Sequence, residues 1–125
     1  MIWDLCNEPF NSGVTPALLL WLEFLYRKCK ELKVRAPISV GMAPNVDNLR
    51  LLEPVSDVLT FHPYGNQKFL DAAVAYGDKV RKPVLATESC WGSLDDAERA
   101  RIVATEVSRL RDRNLGFLAH VLHHS

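Results

Sequence analysis

The chain lacks a net charge: 15 lysines and arginines balance 15 aspartates and glutamates over 125 residues. With no field of one sign to attract a phosphate backbone or an anionic lipid surface, neither nucleic acid nor membrane is an expected partner. It also lacks a long apolar run. The longest, Pro16 to Leu22, is far short of the roughly 20 residues a spanning helix needs. The opening Met-Ile-Trp-Asp-Leu has neither the basic start nor the small-residue cleavage site of a secretory signal. Cysteine is scarce. Cys6, Cys29 and Cys90 cannot all pair within one chain and form no Cys-x-x-Cys, so neither a disulfide framework nor a zinc ribbon is supported, and reduced thiols are expected.

What is present is the composition of a globular domain, 48% apolar and 24% charged, at a length sufficient for one core. Short β-type runs alternate with helical ones. Strands are predicted at Ile2–Asn7, Pro37–Met42, Asp57–His62, Pro83–Glu88 and Leu115–Leu122. The first connection opens on Thr15 and Pro16, a cap and first-turn pair, and carries an apolar stripe of Leu18, Leu22, Leu25, Cys29 and Leu32. The second runs from Asn45 to Val55. The third, Gln67 to Arg81, places Leu70, Ala73, Gly77 and Val80 on one side, with Gly77 suited to close helix–sheet packing. The fourth starts from Ser93 and Asp96 as a capping box, with Ala100, Val103, Val107 and Leu110 as its buried stripe. Arg109, Arg111 and Arg113 favour its C-terminal dipole. Such alternation implies an α/β fold with a parallel sheet, open or closed into a barrel.

In parallel α/β folds chemistry gathers at the carboxyl ends of the strands. Here those ends read Asn7-Glu8-Pro9, Met42-Ala43-Pro44-Asn45, His62-Pro63-Tyr64 and Thr87-Glu88-Ser89-Cys90-Trp91, with His120, His123 and His124 on the last. Two carboxylates, Glu8 and Glu88, dominate this rim. Paired carboxyl groups suit glycoside cleavage, in which one protonates the leaving oxygen while the other attacks the sugar carbon. Neighbours in a strand point to opposite faces, so Asn7 and Glu8 can reach one sugar only if the strand end bulges or turns.

Trp3-Asp4-Leu5-Cys6-Asn7-Glu8-Pro9 resembles the fourth-strand signature of clan A glycoside hydrolases, especially the cellulase-like family 5. Phe61-His62-Pro63-Tyr64 is similar to the sixth strand of that clan and Val84-Leu85-Ala86-Thr87-Glu88 to the seventh. The resemblance implies a partial (β/α)8 TIM barrel covering about strands four to eight, with residues 1–125 as the C-terminal portion of one such domain. A complete barrel takes about 250 residues. It implies Glu8 as general acid/base, Glu88 as nucleophile, and Asn7 as partner of the sugar 2-hydroxyl. It further implies that His62 and Tyr64 bind substrate and hold the nucleophile ionised, with Tyr64 donating to Glu88. Glu8 is then the carboxyl that stays protonated while Glu88 is ionised. His120 stands where family members commonly carry Trp, and its imidazole can hydrogen-bond a sugar hydroxyl instead.

Trp91 is read either as a platform for a sugar ring or as a hydrophobic lid, and Trp3 as core. Cys6 and Cys90, each two residues from a carboxylate, are read as small buried hydrophobes without an activating base. A metal-hydrolase arrangement of His120, His123 and His124 with Glu8 or Glu88 is disfavoured by the absence of helix-borne zinc spacing. No metal and no cofactor is expected. The expected activity is retaining hydrolysis of a β-glycosidic bond in an uncharged polysaccharide or oligosaccharide. The alternative is a catalytically inactive half-barrel that binds carbohydrate or self-associates through its open strands.

Overall fold

A computed structural model describes residues 1–90 and 92–120. Five strands alternate with four α-helices in that span: β1 (Trp3–Asn7), α1 (Pro16–Glu31), β2 (Ile38–Gly41), α2 (Val46–Leu52), β3 (Leu59–Phe61), α3 (Gln67–Val80), β4 (Val84–Ser89), α4 (Asp96–Arg111) and β5 (Gly116–Ala119). A short 3-10 turn, Glu53–Val55, extends α2 where Pro54 denies the α-helix a backbone donor. The predicted strands are all found, one or two residues shorter at most ends. The end predicted for the last strand, Val121 and Leu122, lies outside the described residues, as do Trp91, His123 and His124.

Polar residues start the helices where the sequence indicates. The Thr15 hydroxyl accepts from the Leu18 N–H ahead of Pro16, Asn45 caps α2 and Asn66 caps α3. The fourth helix begins two residues later than the Ser93 reading. Asp95 is its cap, accepting from the Glu98 N–H at 2.6 Å, because Asp95-Asp96-Ala97-Glu98 offers a capping box of its own. Ser93 instead supports the entry, accepting from the Asp95 N–H and donating to the Glu98 carboxylate. Arg109 and Arg111 lie in the last turn as expected.

The strands are parallel, with β1 paired to β2 and β3-β4-β5 forming a second ladder. The two ladders sit side by side: the Asp57 N–H bonds the Ile38 carbonyl at 2.7 Å and the His62 N–H bonds the Met42 carbonyl at 2.8 Å. Spatial order therefore follows chain order. Alternate strand residues separate two faces. Leu5, Val40, Leu59, Phe61, Ala86 and Phe117 join Leu22 of α1, Leu49 and Leu52 of α2, Leu70 and Ala73 of α3 and Leu110 of α4 in one continuous core. All four helices thus cover the same face. On the other face Asp4, Ser39, His62, Leu85, Thr87 and Leu118 line a cavity of about 490 Å3. The strands do not close into a barrel among the described residues.

Close packing of α3 on β4 rests on Gly77. A Cβ there would stand 2.4 Å from Cγ1 of Val84, as the sequence reading of Gly77 anticipates. Three other readings need correction. Trp3 is 48% exposed rather than core, because β1 has a neighbour on one side only among the described residues. Leu32 is exposed because it is the C-cap, past the last helical turn that packs. On α4, Ala100 is exposed and Val103 and Val107 are half-buried, while Leu110 and the charged Glu106 face inward. The inward line of α4 is therefore rotated from the one read off its apolar residues.

Candidate active site

The rim is shaped by backbone that leaves the strand conformation abruptly. The β1–β2 register shifts between Asp4 and Asn7, and Glu8 then takes a φ of 46° while its N–H bonds the Gly41 carbonyl at 2.9 Å. This is the bulge that Asn7 and Glu8 require to serve one site. Left-handed backbone recurs at Tyr64, with φ of 41°, and at Cys90, with φ of 67°. Such conformations cost non-glycine residues energy and persist where surrounding contacts fix them. Beside this bulge, Gly41 leaves room for three polar groups. A Cβ on it would lie 2.9 Å from Asn7 Oδ1, 2.9 Å from Asp4 Oδ2 and 3.1 Å from His62 Nε2.

Five of the predicted residues meet in one cluster, a hydrogen-bonded pair set beside a hydrogen-bonded trio. His62 Nδ1 lies 2.6 Å from Glu8 Oε1 and 3.7 Å from Glu88 Oε2. The Tyr64 hydroxyl donates to Glu88 Oε2, as the resemblance implies, and lies 3.3 Å from His120 Nδ1. That His120 nitrogen is 3.6 Å from Glu88 Oε2. His62 is buried, Glu8 and Glu88 are each about one-fifth exposed, and His120 is half exposed. Asn7 lines the 490 Å3 cavity with His62 and Glu88. The predicted residue Trp91 lies outside the described residues.

The electrostatics differ from expectation at Glu8. Burial opposes its ionisation, but hydrogen bonds from His62 and Asn11, with the positive charge of His62 and His120, outweigh burial and hold the carboxyl below its ordinary value. In the open site these contacts favour the ionised form of Glu8, whereas the resemblance implies a protonated one. The reason is local: Asn11 Nδ2 donates to Glu8 Oε2 at 2.6 Å, and His62 serves the other oxygen. Tyr64 is pushed far above its ordinary value by burial and by the Glu88 carboxylate that accepts its hydrogen bond. Burial raises the Cys6 and Cys90 thiols, and the neighbouring Asp4 and Glu106 carboxylates raise them further. Neither is an activated nucleophile.

Four groups escaped the sequence reading. Asn11, three residues past Glu8, is one. Asp4 is another: it accepts from the Gly41 and Cys6 N–H groups, and its carboxyl is raised by a burial that outweighs those bonds. Thr87 brings to the cavity a buried hydroxyl with no partner among the described residues. Glu106, 4% exposed, accepts the backbone N–H groups of Gly65 and Cys90. The apolar period of α4 gave no signal for it, because that period marks a charged residue as outward-facing. One oxygen of Glu8, one of Glu88 and a His62 nitrogen lie within 4.8 Å of one another, a spacing that could also hold a metal ion. No protein-family model, curated protein or solved structure matches the chain.

Proposed function

We propose that the chain carries the active site of a retaining β-glycosidase, built on strands four to eight of a (β/α)8 barrel. The observation that carries this reading is the Glu8–Glu88 pair, whose nearest oxygens lie within 4.8 Å. Retaining enzymes hold their carboxyl groups about 5–5.5 Å apart, whereas inverting ones leave about 6.5–9.5 Å for a water. The barrel reading is supported by strands that follow chain order with helices on one face and the cavity that holds Asn7, His62 and Glu88 on the other. A doubly wound sheet carries helices on both faces.

Glu88 attacks the anomeric carbon, with Tyr64 stabilising its charge, while Glu8 gives a proton to the departing glycosidic oxygen. Water then loses a proton to Glu8 as its oxygen displaces Glu88 and releases the sugar. The open site already holds Glu8 in the ionised state needed for this second step. For the first, a bound sugar excludes water from between two carboxylates, and their strengthened repulsion favours a proton on one of them. Asn7, which lines the cavity, is suited to a sugar hydroxyl. The substrate is an uncharged β-linked glycan, and these steps require no cofactor or metal.

A self-associating, non-catalytic half-barrel is the second reading, favoured by the exposed Trp3 and Leu118 on the outermost strands. One experiment separates them. Glu88→Ala abolishes hydrolysis of an aryl β-glycoside, and azide restores turnover as a glycosyl azide. Undiminished hydrolysis by this variant eliminates Glu88 as nucleophile, and a wild-type protein that binds glycan as a dimer without turnover favours the second reading.

A further inference from the structure

The left-handed residues Tyr64 and Gly65, with φ of 41° and 76°, and Cys90, with φ of 67°, turn two rim loops sharply. Backbone N–H groups in such turns leave the strand ladder and need another acceptor. For Gly65 and Cys90 that acceptor is one side chain. Glu106 Oε1 takes the Gly65 N–H at 3.0 Å and Oε2 takes the Cys90 N–H at 3.0 Å. Gly65 adjoins Tyr64, the donor to Glu88, and Cys90 lies two residues past Glu88 itself. The carboxylate comes from α4, held in the core by Leu110, so it ties both loops to a rigid element. A buried carboxylate is a costly way to fill space. Two charge-assisted bonds to separate loops give it a geometric task that an apolar side chain cannot perform.

We propose that Glu106 is a positioning residue that fixes the distance between Tyr64 and Glu88 by clamping their two loops. This rests on the glycosidase reading for its catalytic consequence, but the clamp itself does not. Glu106 also lines a cavity of about 270 Å3 with Tyr64, Arg101 and Arg109, large enough to admit formate.

The test uses Glu106→Gln and Glu106→Ala. The amide keeps the shape but turns an NH2 group toward one backbone N–H, releasing one loop. Glu106→Gln is expected to lower kcat about tenfold to a hundredfold, with KM nearly unchanged and the protein folded. Amide exchange at Gly65 or Cys90 is expected to accelerate about tenfold or more. In Glu106→Ala, formate restores part of kcat and chloride at equal ionic strength does not. Wild-type kcat in Glu106→Gln, or a loss of activity explained wholly by loss of folded protein, overturns the role. If the wild-type protein hydrolyses no β-glycoside, the functional reading fails instead. Exchange at the two amides then still decides the clamp, and unchanged rates in both variants overturn it.

Discussion

Glu8 Oε1 and His62 Nδ1 stand 2.6 Å apart although 54 residues separate them in the chain. The same nitrogen lies 3.7 Å from Glu88 Oε2, and the ring is 1% exposed. One buried imidazole thus faces both carboxylates at unequal distance. An ionised carboxylate only accepts, so the proton of the short bond belongs to Nδ1 in the open site. Glu88 draws its donor from Tyr64 instead. The two carboxylates therefore differ before any substrate arrives, as two groups with different tasks must.

Asn11 is exposed and reaches Glu8 Oε2 at 2.6 Å, so truncating it disturbs the site and not the core. Asn11→Ala removes one of the two donors that hold the Glu8 carboxyl down. Its pKa is expected to rise toward the ordinary value. The acid step needs protonated Glu8, so the alkaline limb of kcat/KM moves to higher pH. Carbon-13 titration of the Glu8 carboxyl reads the shift without turnover. An unchanged titration in the variant refutes the role of Asn11.

Tyr64→Phe deletes the hydroxyl that donates to Glu88 and leaves the ring. A hydrogen bond to a charged group is worth about 1.5–3 kcal/mol, which corresponds to about a tenfold to hundredfold fall in kcat. Thermal stability changes little because the ring stays in place. Equal kcat in variant and wild type, measured on the same aryl glycoside, contradicts the assignment of Tyr64 as partner of the nucleophile.

The strand–helix order was legible because each element carries its own apolar period, and the cap at Thr15 is local. The bulge at Glu8 was legible too, since Asn7 and Glu8 cannot serve one site on a flat strand. Trp3 misled because its exposure depends on what lies beside β1, which no local pattern encodes. The α4 stripe misled for a related reason. Glu106 is turned inward by amides 41 and 16 residues away, and apolar periodicity gives such a residue the wrong face. The low pKa of Glu8 depends on His62 and Asn11 closing on it from opposite sides, a geometry that spacing alone cannot supply.

Asp57 ties α1 to the strands. Its carboxylate accepts from Lys30 Nζ at 2.6 Å, the Tyr26 hydroxyl at 2.8 Å and the Ile38 N–H at 3.0 Å. Burial works against its ionisation, but these bonds outweigh it and lower its pKa. A lowered folded-state pKa contributes stability that is present above the unfolded value, about 3.9, and lost as pH falls through the folded value. Asp57→Asn is expected to cost about 1–3 kcal/mol at neutral pH. The gap from wild type narrows below about pH 4 as the wild-type carboxyl takes up its proton. Urea unfolding at a series of pH values measures this, and a gap independent of pH would show that Asp57 acts through shape alone.

Gly77 sets the distance between α3 and β4, and two opposing effects can be weighed there. Alanine is the better helix former by about 1 kcal/mol. Its Cβ would stand 2.4 Å from Val84 Cγ1 and 3.2 Å from the Lys82 carbonyl oxygen. The backbone oxygen yields only if the helix moves, and overpacking of this kind costs about 1–3 kcal/mol. The clash wins, so Gly77→Ala is expected to lower Tm. Val84→Ala removes the nearer obstacle at the expense of a small cavity. In the double variant the loss should be less than the sum of the two single losses, because the new methyl occupies the space that Val84 vacates. Thermal unfolding of the four proteins tests this; strict additivity would mean that Gly77 and Val84 do not meet across the helix–sheet contact.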